Sequence, residues 1–209
     1  MKKIKINEIF ISVDGEVNSL GGQGIWSTFI RFQGCNLRCS YCDTKRAWNE
    51  DRGEFLSVNE IVDRSSACNK FTITGGEPLL QFDGLMELLS HLDGSVSLET
   101  NGSLDISGID EKVNVIMDYK LPSSGQEDRM RVENFSLLKP DDYVKFVIKD
   151  ADDYSRAKLV LKKYWNVGRI AFSPCFPEVS PKQLFDWMYF DSLFHVQLNI
   201  QIHKLVGVE

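Results

Sequence analysis

Long hydrophobic runs are missing from this chain of 209 residues, and none approaches the ~20 apolar residues that a membrane-spanning helix needs. The start, Met1-Lys2-Lys3-Ile4-Lys5-Ile6-Asn7-Glu8, alternates charged and apolar residues and lacks the apolar stretch of a signal peptide. A basic excess is missing as well. Thirty acidic against 24 basic residues leave a net charge of −6, which argues against a nucleic-acid partner and against electrostatic docking on a membrane. Cysteine is scarce and odd in number, five in all, so a disulfide framework is not expected and a reducing, cytoplasmic setting is. Repeats, low-complexity tracts and linkers are absent, so residues 1–209 should form a single domain large enough to bury a core.

What is present is concentrated. Three of the five cysteines fall in Cys35-Asn36-Leu37-Arg38-Cys39-Ser40-Tyr41-Cys42, a C-x3-C-x2-C spacing. Thiolates at loop spacings ligate iron–sulfur clusters, whereas a closed structural zinc site takes four ligands. The flanking residues offer no further Cys or His, so three thiolates would leave one metal corner open.

Apolar alternation and turn signals give a coarse map. Strands are expected at residues 4–11, with Ile4, Ile6 and Phe10 among polar neighbours, and at 26–32, 70–74, 95–100, 112–117, 143–149, 168–173 and 195–201. Ser57-Val58-Asn59-Glu60 has the form of a capping box and should start a helix running to about residue 67. Further helices are expected through Leu79–Leu92 in the leucine-rich stretch, at 151–164 with a Tyr154, Ala157, Leu161, Tyr164 stripe, and at 181–190 behind Pro181. Residues 122–131 read as a polar, mobile loop. Strands alternating with helices imply a parallel sheet with right-handed crossovers. About six βα units are too few to close an eightfold barrel, so the expected fold is α/β, a partial, open βα barrel. In such architecture chemistry sits at strand carboxyl ends. Arg31 with the cysteine loop, Thr74-Gly75-Gly76-Glu77, Glu99-Thr100-Asn101, Asp118-Tyr119-Lys120 and Ser173-Pro174 all follow apolar strands, which suggests one shared pocket.

The cysteine loop after a strand, together with Gly75-Gly76-Glu77-Pro78, resembles the radical S-adenosylmethionine superfamily. Within it the chain is most similar to the 7-carboxy-7-deazaguanine synthase family, through Asn7-Glu8-Ile9-Phe10, the Phe29 to Cys39 stretch, Cys42-Asp43-Thr44 with Ala47-Trp48, Glu99-Thr100-Asn101-Gly102 and Gln201-Ile202-His203-Lys204. The resemblance implies a radical enzyme that contracts the ring of 6-carboxy-5,6,7,8-tetrahydropterin with loss of ammonia, in 7-deazapurine and queuosine biosynthesis. Its cofactors would be a [4Fe–4S] cluster on Cys35, Cys39 and Cys42, S-adenosylmethionine, and Mg2+ at Thr44. Tyr41, Asp43, Gly76, Asp118, Tyr119, Lys120, Ser173, Pro174, Cys175 and Phe176 would contact S-adenosylmethionine. Val13, Asp14, Gly15, Glu16, Arg31, Thr74 and His203 would contact the pterin, Arg31 through its carboxylate. A homodimer and a flavodoxin-type electron donor are also implied. Two departures stand out: Asp14-Gly15-Glu16-Val17 replaces the usual Gln-Gly-Glu-Gly, and Asp118-Tyr119-Lys120 replaces the usual Ser-Pro-Lys. The alternative reading is a glycyl-radical activating enzyme acting on a partner protein, of which Ser12-Val13-Asp14-Gly15 is reminiscent. That group tends to follow its last cysteine with His-Asn rather than Asp43-Thr44.

Overall fold

A computed structural model describes residues 2–49 and 51–208. The first strand, β1 (Lys3–Val13), begins with Ile4 and Ile6 buried in the core, then slips register between Ile6 and Glu8 in its antiparallel pairing with β2 (Trp26–Phe32). A bulge bends a strand and re-aims the side chains beyond it. Ile9 therefore packs against the core, while Phe10 faces the opposite side, over a central cavity, and its ring stacks on Phe29 at 5.0 Å.

β2 opens a run of six parallel pairings, through β4 (Lys70–Gly75), β5 (Ser95–Thr100), β6 (Asn114–Asp118), β7 (Tyr143–Ile148), β8 (Arg169–Pro174) and β9 (Val196–Leu198). A short strand between them, β3 (Glu54–Ser57), was not anticipated and pairs antiparallel with β1 at the other edge. The sheet order is β3-β1-β2-β4-β5-β6-β7-β8-β9, open at both ends: a partial βα barrel, as expected.

Helices cover its outer face. The capping box at Ser57 and Glu60 forms and starts α1 (Val58–Arg64). A 3-10 turn at Pro78–Gln81 leads into α2 (Phe82–Leu89), so the leucine-rich stretch is shorter as an α-helix than its pattern implied. α3 (Ala151–Tyr164) and α4 (Pro181–Phe190) span the expected residues, and Asp150 and Ser180 cap them. The connections leaving β5 and β6 hold no α-helix. The second is built from 3-10 turns at Pro122–Ser124, Glu127–Arg129 and Val132–Leu137, so residues 122–131 are folded onto the body rather than loose. The last strand is shorter than expected, and the chain turns into a small helix, α5 (Ile202–Val206).

The main core lies between sheet and helices, with Phe32, Phe146 and Phe172 fully buried, each stabilising the fold by about 1.5–3 kcal/mol. A second small cluster, Val17, Ile116, Tyr143 and Ala171, fills the inner face of the sheet. No helix among the described residues is long and apolar enough to cross a membrane.

Candidate active site

The cysteine loop leaves β2 and is held on two sides. Gly34 N–H donates to the Ala47 carbonyl at 2.8 Å and Glu77 N–H donates to Gly34 at 2.8 Å, so the loop's root is stitched to the turn after β4. That contact leaves no space for a side chain: a Cβ on Gly76 would lie 2.0 Å from the Gly34 carbonyl oxygen and 2.7 Å from that of Ala47. The far side is held by the 3-10 turn after β6, where Ser40 donates to the carbonyls of Ser124 (N–H, 3.0 Å) and Ser123 (hydroxyl, 2.7 Å). Asp153 of α3 in turn accepts from Ser123, which ties the clamp to the helix layer.

Glu77 is the latch of this arrangement. It is wholly buried, and its carboxylate accepts from Leu79 N–H at 3.0 Å, Thr100 Oγ1 at 2.9 Å and Asn101 N–H at 2.7 Å, joining the turn after β4 to the end of β5. Burial pushes its carboxyl up to about 7 despite those donors. Asn101 then donates to Asn36 Oδ1 at 3.0 Å, inside the cysteine loop.

Between loop and sheet lies a cavity of about 730 Å³. Cys35, Cys39, Tyr41, Cys42, Asp43, Thr44, Gly76, Asp118, Lys120, Ser173, Pro174, Cys175 and Phe176 line it, as do Asp14, Gly15, Glu16, Arg31, Thr74 and His203. The sequence expectation of one pocket at the strand ends is met in space. Two expected residues do not reach it. Tyr119 is 4% exposed and packs in the core against Phe135 and Phe146, because the residue after Asp118 alternates to the outer face. Val13 pairs with Trp26 at the end of β1 and is not part of the lining.

The floor is charged. Lys145, in the middle of β7, is buried and pairs with Glu16 and, at 3.3 Å, with Asp118. Asp118 also pairs with Lys120 at 3.0 Å, and Gln201 Nε2 donates to Glu16 Oε1 at 2.6 Å. Burial opposes charge on Glu16 and Asp118, but the neighbouring ammonium groups outweigh it and hold both carboxyls below their ordinary values. Glu99 is pushed up to about 7, chiefly by burial and then by the charge of Glu16, and accepts from Thr74 Oγ1 at 2.7 Å.

Asp14 is anchored by partners within the chain. Its carboxylate meets Lys70 Nζ at 2.5 Å and Thr72 Oγ1 at 3.2 Å, and its backbone N–H and carbonyl bond Ile25 and Gly24. The acid is thus matched by a lysine of β4 while the residue lines the cavity. Arg31 is partly committed too: its Nε donates to Glu8 Oε1 at 2.6 Å, and Arg46 Nη2 reaches the same oxygen at 2.8 Å.

Lys145 carried no site role on sequence, and Glu8 and Phe10 stood only as part of the Asn7-Glu8-Ile9-Phe10 landmark. Lys145 sits between Val144 and Phe146 and reads as the solvent face of a strand, whereas both faces of this strand are buried. Its signal was the fold class itself, since an inner barrel face lies hidden beneath an outer layer of helices. His203 lies on α5. Its ring closes over Gly15, where a Cβ would come within 1.9 Å of Nδ1.

The donor set discriminates between metal groups. No three His, Cys, Asp or Glu side chains among the described residues converge on one point, and a closed structural zinc site takes four ligands where the loop offers three. A cubane spreads its thiolates over different irons. Cys35, Cys39 and Cys42 are unpaired, and burial pushes the thiols of Cys35 and Cys39 up, Cys39 to about 11, so a cationic cluster would be needed to hold them as thiolates. Beside them, the Tyr41 hydroxyl and Asp118 Oδ1 are buried and find no hydrogen-bond partner among the described residues, as expected of a pocket shaped for a polar ligand.

The sequence profile of the radical SAM superfamily matches residues 29–187. A 7-carboxy-7-deazaguanine synthase of Clostridium acetobutylicum is 39% identical over 215 residues, covering 97% of this chain and 95% of the relative. One from Leptospira interrogans is 35% identical over 230 residues, covering 98% and 95%. The crystal structure of QueE from Escherichia coli superposes with a TM-score of 0.75 at 22% identity, over 95% of this chain and 94% of that one, a likeness of fold.

Proposed function

The chain belongs to the 7-carboxy-7-deazaguanine synthase family of the radical SAM superfamily, and we propose that it converts 6-carboxy-5,6,7,8-tetrahydropterin to 7-carboxy-7-deazaguanine with loss of ammonia. The observation that carries this reading is the single cavity in which three free thiols, Arg31 and Glu16 share one space, in a chain aligned to such synthases over 97% of its length. When bound, the [4Fe–4S] cluster and S-adenosylmethionine supply a carbon-centred radical able to take one hydrogen atom from the substrate.

The chain's own residues bind, orient and enclose. Cys35, Cys39 and Cys42 would hold the cluster. Gly76, Tyr41, Asp43, Asp118, Lys120 and the Ser173 to Phe176 segment would meet S-adenosylmethionine. Arg31 offers its terminal nitrogens to a carboxylate, with Glu8 fixing the guanidinium plane from its Nε side. Glu16 and Thr74 present oxygens to the pterin amide edge, and His203 shuts the cavity from α5. Mg2+, a hard ion suited to oxygen ligands, would be held at Thr44. The protein works as a cytoplasmic homodimer reduced by a flavodoxin-type donor, a reading that rests on the family resemblance.

Anaerobically reconstituted protein, given reductant, S-adenosylmethionine, Mg2+ and the carboxypterin, should yield the deazaguanine by mass spectrometry, with activity reduced by chelating Mg2+. Cofactor cleavage with the pterin returned intact would overturn the assignment. Light scattering reads the oligomeric state.

A further inference from the structure

We propose that Lys145 is a positioning residue for substrate recognition, holding the Glu16 carboxylate charged and fixed so that it can accept from an N–H edge of the substrate. This deepens the reading that Glu16 meets the pterin, and rests on it.

The geometry is specific to this pair. Lys145 stands in register with Asp118 of β6 and Ala171 of β8, its neighbours Val144 and Phe146 fully buried on the outer face, and its ammonium enters the cavity floor. An ammonium has three donors and no acceptor, and here it meets carboxylates of Glu16 and Asp118. Glu16 is held from two directions: Oε2 by Lys145 of β7, and Oε1 by Gln201 at the root of α5. Two of about four lone-pair directions are thereby occupied, and the rest are left for a ligand.

The charges around Glu16 show why one lysine matters. Asp118 on β6, Glu99 on β5 and Asp14 on the same segment are acidic, and His203 and Lys204 approach from α5. Lys120 is engaged with Asp118, and Lys204 is engaged with Asp43 at 2.8 Å. Lys145 alone of these cations bonds Glu16 directly among the described residues. Without it, burial and neighbouring acids would favour protonation of Glu16, converting an acceptor needed by the substrate into a competing donor.

The test uses reconstituted holoenzyme of the wild type and of K145M, K145R, E16Q and E16Q/K145M, with KM and kcat for the carboxypterin measured from pH 6 to 9. Each variant's KM is read as a ratio to wild type at the same pH, because Glu99 titrates at about 7 in the same cavity. K145M should raise KM about tenfold or more near neutrality while the KM for S-adenosylmethionine stays within about twofold. Its pterin KM should fall as pH rises and Glu16 regains its charge, and K145R should restore most of the loss. In the E16Q background, removing Lys145 should change KM by less than about twofold, because the group it acts through is gone. A K145M enzyme with wild-type KM at every pH, or an equal penalty in both backgrounds, overturns the proposal. Should K145M fail to fold, E16Q and E16Q/K145M carry the test: similar KM values support it, and a further rise of about tenfold overturns it. A wild-type holoenzyme inert toward the carboxypterin overturns the reading of the pocket itself, and this proposal with it.

Discussion

At the scale of single residues, the site is governed by how buried carboxylates are compensated. Glu16 and Asp118 have lysines and stay charged, Asp14 has Lys70, and Glu99 has only a share of Lys145 beside the competing charge of Glu16. The carboxyl of Glu99, at about 7, lies above its ordinary 4.5, so the folded state binds more protons than the unfolded state between those values. Stability from this group is therefore greatest below 4.5 and declines as pH rises to about 7. The variant Glu99→Gln keeps an acceptor for Thr74 and removes the titration. Relative to wild type it should gain on the order of 1–3 kcal/mol between pH 5 and pH 8, read from urea unfolding of the metal-free protein. An identical difference at the two pH values would refute this.

Elements meet the cysteine loop through backbone rather than side chains. The turn after β4 approaches so closely that Gly76 has carbonyl oxygens on either side, and neither can yield without moving β2 or the Lys45–Ala47 turn. Gly76→Ala should destabilise the protein by about 1–3 kcal/mol through overpacking and lower its iron content after reconstitution. Unfolding curves and iron assay check both, and a fully iron-loaded variant of wild-type stability would show that the loop tolerates displacement. Legibility also varied by element. α3 could be read to the residue from its Tyr154, Ala157, Leu161, Tyr164 stripe and α4 from Pro181 at its first position, and the structure adds the caps Asp150 and Ser180. β3 could not, since four residues owe their strand form to pairing with β1 rather than to their own pattern.

Across the whole molecule the cavity is assembled from the far ends of the chain. Gln201 bonds Glu16 across 185 positions and Lys204 bonds Asp43 across 161, so the C-terminal segment closes a pocket begun by the first turn. β9 ends at Leu198, ahead of these residues. Removing residues 201–209 should therefore leave the sheet folded and binding of S-adenosylmethionine within a few-fold of wild type, while raising the pterin KM by about tenfold or more. Circular dichroism and steady-state kinetics separate the two effects. Equal losses for both ligands would mean that the segment supports the entire site.

The sequence by itself determined the chemistry and the class of fold. Cysteine spacing, the Gly-Gly-Glu-Pro turn and polar residues after apolar strands are local patterns, and a thiolate loop or a close glycine turn must be written in adjacent residues. The tertiary structure decided what faces inward. The bulge after Ile6 turned Glu8 toward Arg31 and Phe10 over the cavity, alternation carried Tyr119 into the core, and burial on both faces of β7 made Lys145 an internal cation. It also gave Asp14 its lysine and residues 122–131 their place against Ser40. Each of these depends on a partner far away in sequence, and charge compensation in a barrel interior exists only once the strands that supply it have met.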